Sequence, residues 1–142
     1  MAASEAANGK SRARQMSTGD GRVQNKVALV TGAGSGIGRA VAVLLAKEGA
    51  SVVVSDVDPD ATENAVIQIT AGGGTAQAMT LDVAEEAAWH RTIDRILHDF
   101  ERLDVLVNNA GASFAKPVTE MTTGEWRRGM AINLDEVFLG TK

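Results

Sequence analysis

Short apolar runs alternate with longer amphipathic stretches along most of this chain. Residues 26–30, 51–56 and 104–109 are apolar and rich in β-branched side chains, and residues 75–83 form a weaker fourth run. Unbroken apolar character over so few residues is typical of strands that are buried on both faces, as in a parallel sheet. The pattern therefore predicts four parallel strands with other elements covering both faces.

The stretches between these runs have the features of helices. Residues 36–48 are followed by Gly49, a favourable helix end, and the next stretch begins with Asp58 as N-cap and Pro59 at the first helical position. The third stretch has an apolar face with a period of 3.6 residues. Helices are thus predicted at residues 36–48, 59–71 and 84–101. Strands that each precede a helix predict an α/β fold with a doubly wound parallel sheet of the Rossmann kind.

The glycine-rich stretch TGAGSGIG lies between the first predicted strand and the first predicted helix. Gly32 allows a tight turn out of the strand, Gly36 lets backbone approach a pyrophosphate, and Gly38 lets the helix pack close to the sheet. The helix N-terminus adds free N–H groups and a positive dipole end. Because Ile37 and Arg39 occupy the places where a strict G-x-G-x-x-G motif needs its third glycine, a plain glycine-rich turn is the alternative.

Asp56 stands at the end of the second predicted strand. A carboxylate at this place in a dinucleotide fold accepts hydrogen bonds from the adenosine ribose, and it repels a 2′-phosphate. Since Asp58 already fills the helix cap, we expect Asp56 to be free for a ligand. No basic residue stands at position 57, and Ser35 rather than a basic residue precedes Gly36. These charges favour NAD over NADP.

Asp82 stands at the end of the third predicted strand, and two interpretations of it are equally favoured. Its carboxylate can accept from an adenine amino group while the Val83 N–H donates to the ring. With Glu85 three residues later, Asp82 also forms a capping-box pattern. His90 and His98 lie off the apolar face of the third helix, so we expect them in solvent. No cluster of acidic residues and histidines has metal-ligand spacing, and no metal is expected.

The charge distribution is uneven. Residues 1–26 carry five basic and two acidic side chains, which leaves 9 basic and 16 acidic side chains in the remainder and a net charge of −4. An acidic body makes nucleic acid an unfavourable partner. Residues 1–25 are predicted to be a disordered basic extension, with organelle targeting as a weaker alternative. No apolar run has the length of a membrane helix and cysteine is absent, so a cytoplasmic protein without a membrane partner is expected.

Four motifs in order along the chain resemble the short-chain dehydrogenase/reductase superfamily: TGAGSGIG, DV at 82–83, NNAG at 108–111 and INL at 132–134. The likeness begins near residue 25, so residues 26–142 are expected to be the N-terminal part of an NAD-binding Rossmann domain. The resemblance implies that Asn108 ties the sheet together and that Asn133 supports a proton relay by holding a water. It implies a nucleotide site made by Gly32, Ser35, Gly36, Ile37, Gly38, Asp56, Asp82, Val83 and Asn109.

Asn133 lies within an otherwise apolar helical pattern. The spacing of Trp126, Met130, Leu134 and Phe138 predicts a packed helix edge beside it. A polar amide near such an edge needs a hydrogen-bond partner. A satisfied polar residue without a role in the relay is the simpler alternative.

By this resemblance the chain represents an NAD(H)-dependent oxidoreductase that acts on an alcohol or carbonyl substrate. The family's catalytic serine and Tyr-x-x-x-Lys pair lie beyond the helix of Asn133, and this chain contains no tyrosine. We therefore expect the 142-residue chain alone to be inactive, its sheet to be incomplete at the C-terminal side, and the complete protein to be a homo-oligomer. A non-catalytic nucleotide-binding or regulatory remnant and, less favoured, a Rossmann-like methyltransferase are the alternatives.

Overall fold

The computed structural model describes residues 21–142, and it arranges them as a four-stranded parallel sheet with helices on both faces. The first part alternates strands and helices: β1 (Val27–Val30), α1 (Gly36–Lys47), β2 (Ser51–Asp56), α2 (Pro59–Ala71), β3 (Thr75–Thr80), α3 (Glu86–Phe100) and β4 (Val105–Val107). The second part contains a 3₁₀ turn (Val118–Glu120), α4 (Thr123–Met130), a π-helical segment (Ala131–Asp135) and α5 (Glu136–Thr141). The α/β prediction is confirmed.

The strands lie in the order β3-β2-β1-β4. All three pairs are parallel, and Leu29 in β1 lies opposite Val53 in β2 and Leu106 in β4. The chain thus moves outward from β1 to β3 and then returns to the other side of β1. In such sheets, ligands bind beyond the carboxyl ends of the strands at the point where the strand order reverses. Here that point lies between β1 and β4.

Alternate residues of the strands enter two separate apolar layers. Ala28 and Val30 pack with residues of α1 and α2 on one face. Val27 and Leu29 pack with residues of α3 on the other face, where the Trp89 side chain is also buried. All four side chains of β1 are buried, which confirms the prediction that the sheet is covered on both sides.

Residues 21–25 form a turn that is bound to the connection between α1 and β2. The Val23 N–H donates to the Glu48 carbonyl at 3.2 Å, and the Asn25 N–H donates to the Gly49 carbonyl at 3.1 Å. The Val23 side chain packs against the core layer on the α1 side. The prediction of disorder therefore does not hold for these five residues, because backbone hydrogen bonds and apolar contacts fix their positions. Residues 1–20 lie outside the described part of the chain.

The helix caps agree only in part with the sequence prediction. Asp58 caps α2 as expected, since its side chain accepts from two N–H groups of the first turn at 3.0 and 3.2 Å. The capping box predicted for Asp82 and Glu85 is wrong: α3 has Glu85 as N-cap and no side-chain cap bond. A capping box is present instead at α4, between Thr122 and Glu125. In residues 21–142 no helix is both long and apolar enough to cross a membrane.

Candidate functional site

A cleft of about 640 Å³ lies at the carboxyl ends of the strands. Its walls come from the loops that follow all four strands and from the segment that contains α4 and the π-helical turn. All nine residues predicted for nucleotide binding line it: Gly32, Ser35, Gly36, Ile37, Gly38, Asp56, Asp82, Val83 and Asn109. The other lining residues are Val57, Leu81, Ala110, Gly111, Ala112, Arg128 and Ile132. Asn133 does not line the cleft but lies directly behind Gly111 and Ala112.

The glycine loop between β1 and α1 forms one wall of the cleft. Gly32 and Gly36 have φ values of 59° and 53°, a left-handed backbone that side chains with Cβ rarely adopt. A Cβ added at Gly36 would meet nothing within 4 Å, so the backbone there is open to a ligand. A Cβ at Gly38 would instead overlap the Asn109 side chain and the Gly32 carbonyl, which shows how closely α1 packs. Ser35 is the N-cap of α1 and makes no side-chain cap bond.

Both backbone groups of Gly34 hold this loop in place. Its N–H donates to Asp56 Oδ2 at 3.1 Å, and its carbonyl accepts from the guanidinium of Arg39. Asp56 Oδ1 also accepts from the Asp58 N–H at 3.3 Å. Asp56 is therefore not free as expected: it lines the cleft and also anchors the loop. A carboxylate has about four acceptor positions, so two remain for a ligand. The sequence pattern gave no role to Arg39.

Asn109, rather than Asn108, joins β4 to β1. Its side-chain N–H₂ donates to the carbonyls of Thr31 at 2.8 Å and Gly32 at 3.2 Å, and its backbone N–H donates to Thr31 Oγ1 at 3.0 Å. The Oδ1 atom of Asn108 is buried without a hydrogen-bond partner among the described residues. Among residues 21–142 it is Asn109 that makes these bonds, and the role that the resemblance gave to Asn108 stays a prediction. Asn109 makes them because its amide points back across the strand ends into the glycine loop.

The end of β3 is fixed by three hydrogen bonds. Asp82 Oδ1 accepts from the Ala84 N–H at 3.0 Å, which closes a tight turn ahead of α3 and explains why Asp82 does not cap that helix. Asp82 Oδ2 accepts from Arg128 Nη2 at 2.9 Å. The Val83 carbonyl accepts from the buried indole of Trp89 at 2.9 Å. Asp82 and Val83 thus have defined positions at the far end of the cleft from Asn109.

Asn133 lies at the centre of the π-helical segment. Its Oδ1 accepts from the Ala112 N–H and its Nδ2 donates to the Ala112 carbonyl, both at 2.8 Å. The expected need for an amide partner is confirmed, and the backbone of the loop after β4 supplies it. π-Helical turns inside helices often mark functional sites. The wide turn at residues 131–135 presents Asn133 to the cleft wall.

The predicted packed edge beside Asn133 is wrong for the described residues. Trp126, Leu134 and Phe138 are 54%, 57% and 64% exposed. The π-helical segment shifts the helical phase between α4 and α5, so these positions no longer follow a single 3.6-residue stripe. In residues 21–142 no element covers them.

The loop from β4 to α4 is bound at both ends. Asn133 holds Ala112, and Lys116 Nζ lies 2.7 Å from Glu125 Oε1 at the start of α4. The Lys116 ammonium and the Thr122 backbone and hydroxyl lower the pKa of Glu125 to about 2. Because Glu125 also closes the α4 capping box, one carboxylate fixes both the loop and the helix start.

Glu136 is a buried carboxyl that sequence analysis missed. It is 1% exposed, and its Oε1 lies 2.5 Å from Thr31 Oγ1. Burial raises the pKa of Glu136, while the hydrogen bond from Thr31 acts in the opposite direction. Nothing in the local pattern DEVF indicates burial, because a charged residue near a helix start is ordinarily in solvent.

The two histidines have no part in the cleft. The His90 and His98 side chains are 70% and 80% exposed on α3, as predicted. Residues 21–142 contain no group of three or more acidic or histidine side chains that is arranged to hold a metal ion.

Comparisons with known proteins agree with this geometry. Residues 26–142 match the family described as short chain dehydrogenase. Over 122 residues the chain is 46% identical to cyclopentanol dehydrogenase of Comamonas sp. strain NCIMB 9872. This alignment covers 86% of this chain and 49% of that protein. Over 123 residues it is 40% identical to the NADP-dependent (R)-specific alcohol dehydrogenase of Lentilactobacillus kefiri, covering 85% and 48% of the two chains.

A solved structure shows the same relationship. The fold matches a metagenomic short-chain oxidoreductase in complex with NADP at a TM-score of 0.79 and 36% identity, over 83% of this chain and 54% of the other. The chain spans about half the length of the curated relatives that it matches. The family match extends over nearly all of the described residues. On this match and on the fold, the chain belongs to the short-chain dehydrogenase family.

Proposed function

We propose that this chain provides the nucleotide site of an NAD(H)-dependent oxidoreductase that acts on a small alcohol or ketone. The observation that carries the proposal is the convergence of nine residues from the loops after all four strands on one cleft. Membership of the dehydrogenase family removes the methyltransferase alternative. The cleft lies at the point where the strand order reverses, the usual ligand position in sheets of this kind.

The residues of the cleft fit a nicotinamide dinucleotide. The open backbone at Gly36 and the N-terminus of α1, whose N-cap makes no side-chain cap bond, suit the pyrophosphate. Asp56 suits the adenosine ribose, and the end of β3 at Asp82 and Val83 suits the base. When bound, the nucleotide supplies or accepts the hydride in the reaction. The protein's part is to hold and orient it.

The preference for NAD over NADP depends on Asp56. Its carboxylate lines the cleft and retains acceptor capacity after binding Gly34 and Asp58. Among residues 21–142 one cation lines the cleft, Arg128, and it is paired with Asp82. The relatives give no support for this choice, since one of them is NADP-dependent by name and a structural neighbour was solved with NADP. The proposal therefore stands on the charge of this chain's own residues.

The class of substrate is proposed from the relatives, two of which are named for the oxidation of alcohols. Asn133 is proposed to hold a water of a proton relay. After its two bonds to Ala112, its amide retains one N–H and one acceptor position for such a water. Self-association of the complete protein stays a prediction, and the exposed apolar side chains of Trp126, Leu134 and Phe138 are favourable to it.

Titration of the protein with NADH, NADPH and S-adenosylmethionine tests this function. Ligand fluorescence for the two reduced nucleotides and calorimetry for all three give the dissociation constants. We expect NADH to bind more tightly than NADPH, and S-adenosylmethionine not to bind. Binding of S-adenosylmethionine alone, or of no nucleotide, would overturn the proposed function. Tighter binding of NADPH would overturn only the cofactor preference.

A further inference from the structure

Arg128 is a charged residue of the cleft to which neither the sequence motifs nor the proposed function gives a part in ligand binding. It lies in the last turn of α4, and its Nη2 is 2.9 Å from Asp82 Oδ2. The two residues are 46 positions apart, and both line the cleft. Their ion pair therefore joins α4 to the loop after β3 across the end of the cleft.

The position of the Arg128 guanidinium is set from the Asp82 side. Asp82 Oδ1 is held by the Ala84 N–H at 3.0 Å, so the carboxylate has a fixed orientation. Arg128 and Asp82 are 45% and 34% exposed, and an ion pair with that exposure adds little to stability. The ion pair instead orients the guanidinium of Arg128. It places a planar cation at the wall of a cleft that otherwise carries the acidic side chains Asp56 and Asp82.

We propose that Arg128 forms one wall of the subsite for the purine base and contributes to the binding of the adenine half of the nucleotide. This inference rests on the proposed nucleotide site. A guanidinium stacks on aromatic faces and, being planar, loses little freedom when it does so. The apolar residues Val83 and Ile132, which are near Asp82 and Arg128 in sequence, also line the cleft. Arg128, held by Asp82, packs against the face of the base, while the remaining acceptor positions of Asp82 serve its edge.

Ligands that contain only one half of the dinucleotide distinguish contact with the purine base from contact with a phosphate. Reduced nicotinamide mononucleotide retains a phosphate and the nicotinamide but lacks the purine, whereas adenosine diphosphate retains the purine. Loss of a cation stacked on an aromatic ring weakens binding by about 2- to 30-fold. The Arg128→Gln variant should therefore bind NADH and adenosine diphosphate more weakly by that factor. Its affinity for the mononucleotide should be unchanged. Arg128→Lys keeps the charge without the plane and should recover only part of the loss.

Arg127→Gln is the matched control, because Arg127 is the exposed neighbour of Arg128 on α4 and does not line the cleft. It should bind all three ligands as the parent does. Equal affinities of the Arg128→Gln and Arg127→Gln variants for NADH would overturn the inference, as would an equal loss of mononucleotide and adenosine diphosphate binding. A parent protein that binds no nucleotide would instead refute the proposed function. The thermal midpoint of each variant without ligand shows whether the fold is retained.

Discussion

The carboxyl of Glu136 lies 2.5 Å from the hydroxyl of Thr31, 105 residues earlier in the chain. The Thr31 oxygen also accepts the N–H groups of Asn109 and Ala110, both at 3.0 Å. Those two bonds occupy both acceptor positions of the hydroxyl, so its hydrogen is directed to Glu136. One buried hydroxyl thus connects the end of β1, the loop after β4 and the start of α5.

The contact between Glu136 and Thr31 predicts a dependence of stability on pH. Burial raises the pKa of Glu136 above 4.5, so the folded protein retains this proton at a pH at which the unfolded chain has lost it. The stability that this proton contributes is fully present below the pKa of Glu136 in the unfolded chain. It is lost as pH rises through the pKa of Glu136 in the folded protein. The Glu136→Gln variant has no such proton. Its free energy of unfolding relative to the parent should therefore increase with pH above about 4.5.

Urea unfolding of the parent and the variant at several values between pH 4 and pH 8 measures this difference. Glu63→Gln is the control, because Glu63 is exposed on α2 and its substitution should leave a constant offset from the parent. The lowered pKa values of Glu125 and Asp104 affect the parent and both variants equally. Curves for Glu136→Gln and the parent that stay parallel would contradict the proposed cause.

Two glycines with opposite surroundings predict opposite effects of alanine. A Cβ at Gly38 would overlap Asn109 and the Gly32 carbonyl, whereas a Cβ at Gly124 would meet only Thr122 Oγ1, at 3.9 Å. Gly38→Ala should lower the free energy of unfolding by about 1–3 kcal/mol, the usual range for overpacking. Gly124→Ala in α4 should raise it by about 0.4–1 kcal/mol because the unfolded chain loses freedom. Equal midpoints in urea for the two variants would show that α1 does not pack as described.

Much of the fold was predictable because its signals are local. The bounds of β2 and α2 match the predicted ranges 51–56 and 59–71. Each has clear marks in sequence: a continuous β-branched run for β2, and an Asp-Pro start with glycines at the end for α2. Nine of the cleft-lining residues were also predictable, since parallel strands bring all their carboxyl ends to one edge of the sheet.

The parts that sequence analysis missed depend on contacts between distant residues. Arg128 and Glu136 reach Asp82 and Thr31 across 46 and 105 positions, and no local pattern marks either contact. The capping box was predicted at α3 instead of α4 for a related reason. The pattern that begins at Asp82 has the right spacing, but its carboxylate is held by Ala84 and Arg128. Local spacing shows what a side chain is able to bind, and the tertiary structure decides which partner is present.

The turn at residues 21–25 should contribute to stability. Its backbone donates to Glu48 and Gly49, and Val23 packs on the core. Deletion of residues 1–25 removes these contacts, and deletion of residues 1–20 is the matched control that keeps them. The deletion also removes the bond from the Arg22 N–H to Glu48 Oε2 at 2.9 Å. Three lost hydrogen bonds and a partly buried valine predict a difference of roughly 2–4 kcal/mol between the two deletions. Thermal unfolding measures it, and identical midpoints would show that the turn is dispensable.

Asp56 should decide between the two nicotinamide nucleotides. In the Asp56→Asn variant an amide oxygen can still accept from the Gly34 N–H, which Asp56 Oδ2 binds at 3.1 Å, so the loop anchor is retained while the charge is lost. A hydrogen bond to a charged group contributes about 1.5–3 kcal/mol. NADH binding should weaken by about that amount, whereas NADPH binding should stay the same or improve because repulsion of the 2′-phosphate is removed.

Asp60→Asn is the control for the loss of a negative charge near the same strand end. Asp60 lies in the first turn of α2 and does not line the cleft, so this variant should retain the nucleotide preference of the parent. Fluorescence titrations with NADH and NADPH at one salt concentration give both dissociation constants for the parent and the two variants. The ratio of these constants should shift toward NADPH in Asp56→Asn alone. An unchanged ratio in that variant would mean that the Asp56 carboxylate serves only to hold Gly34, and that the cofactor preference is set by other residues.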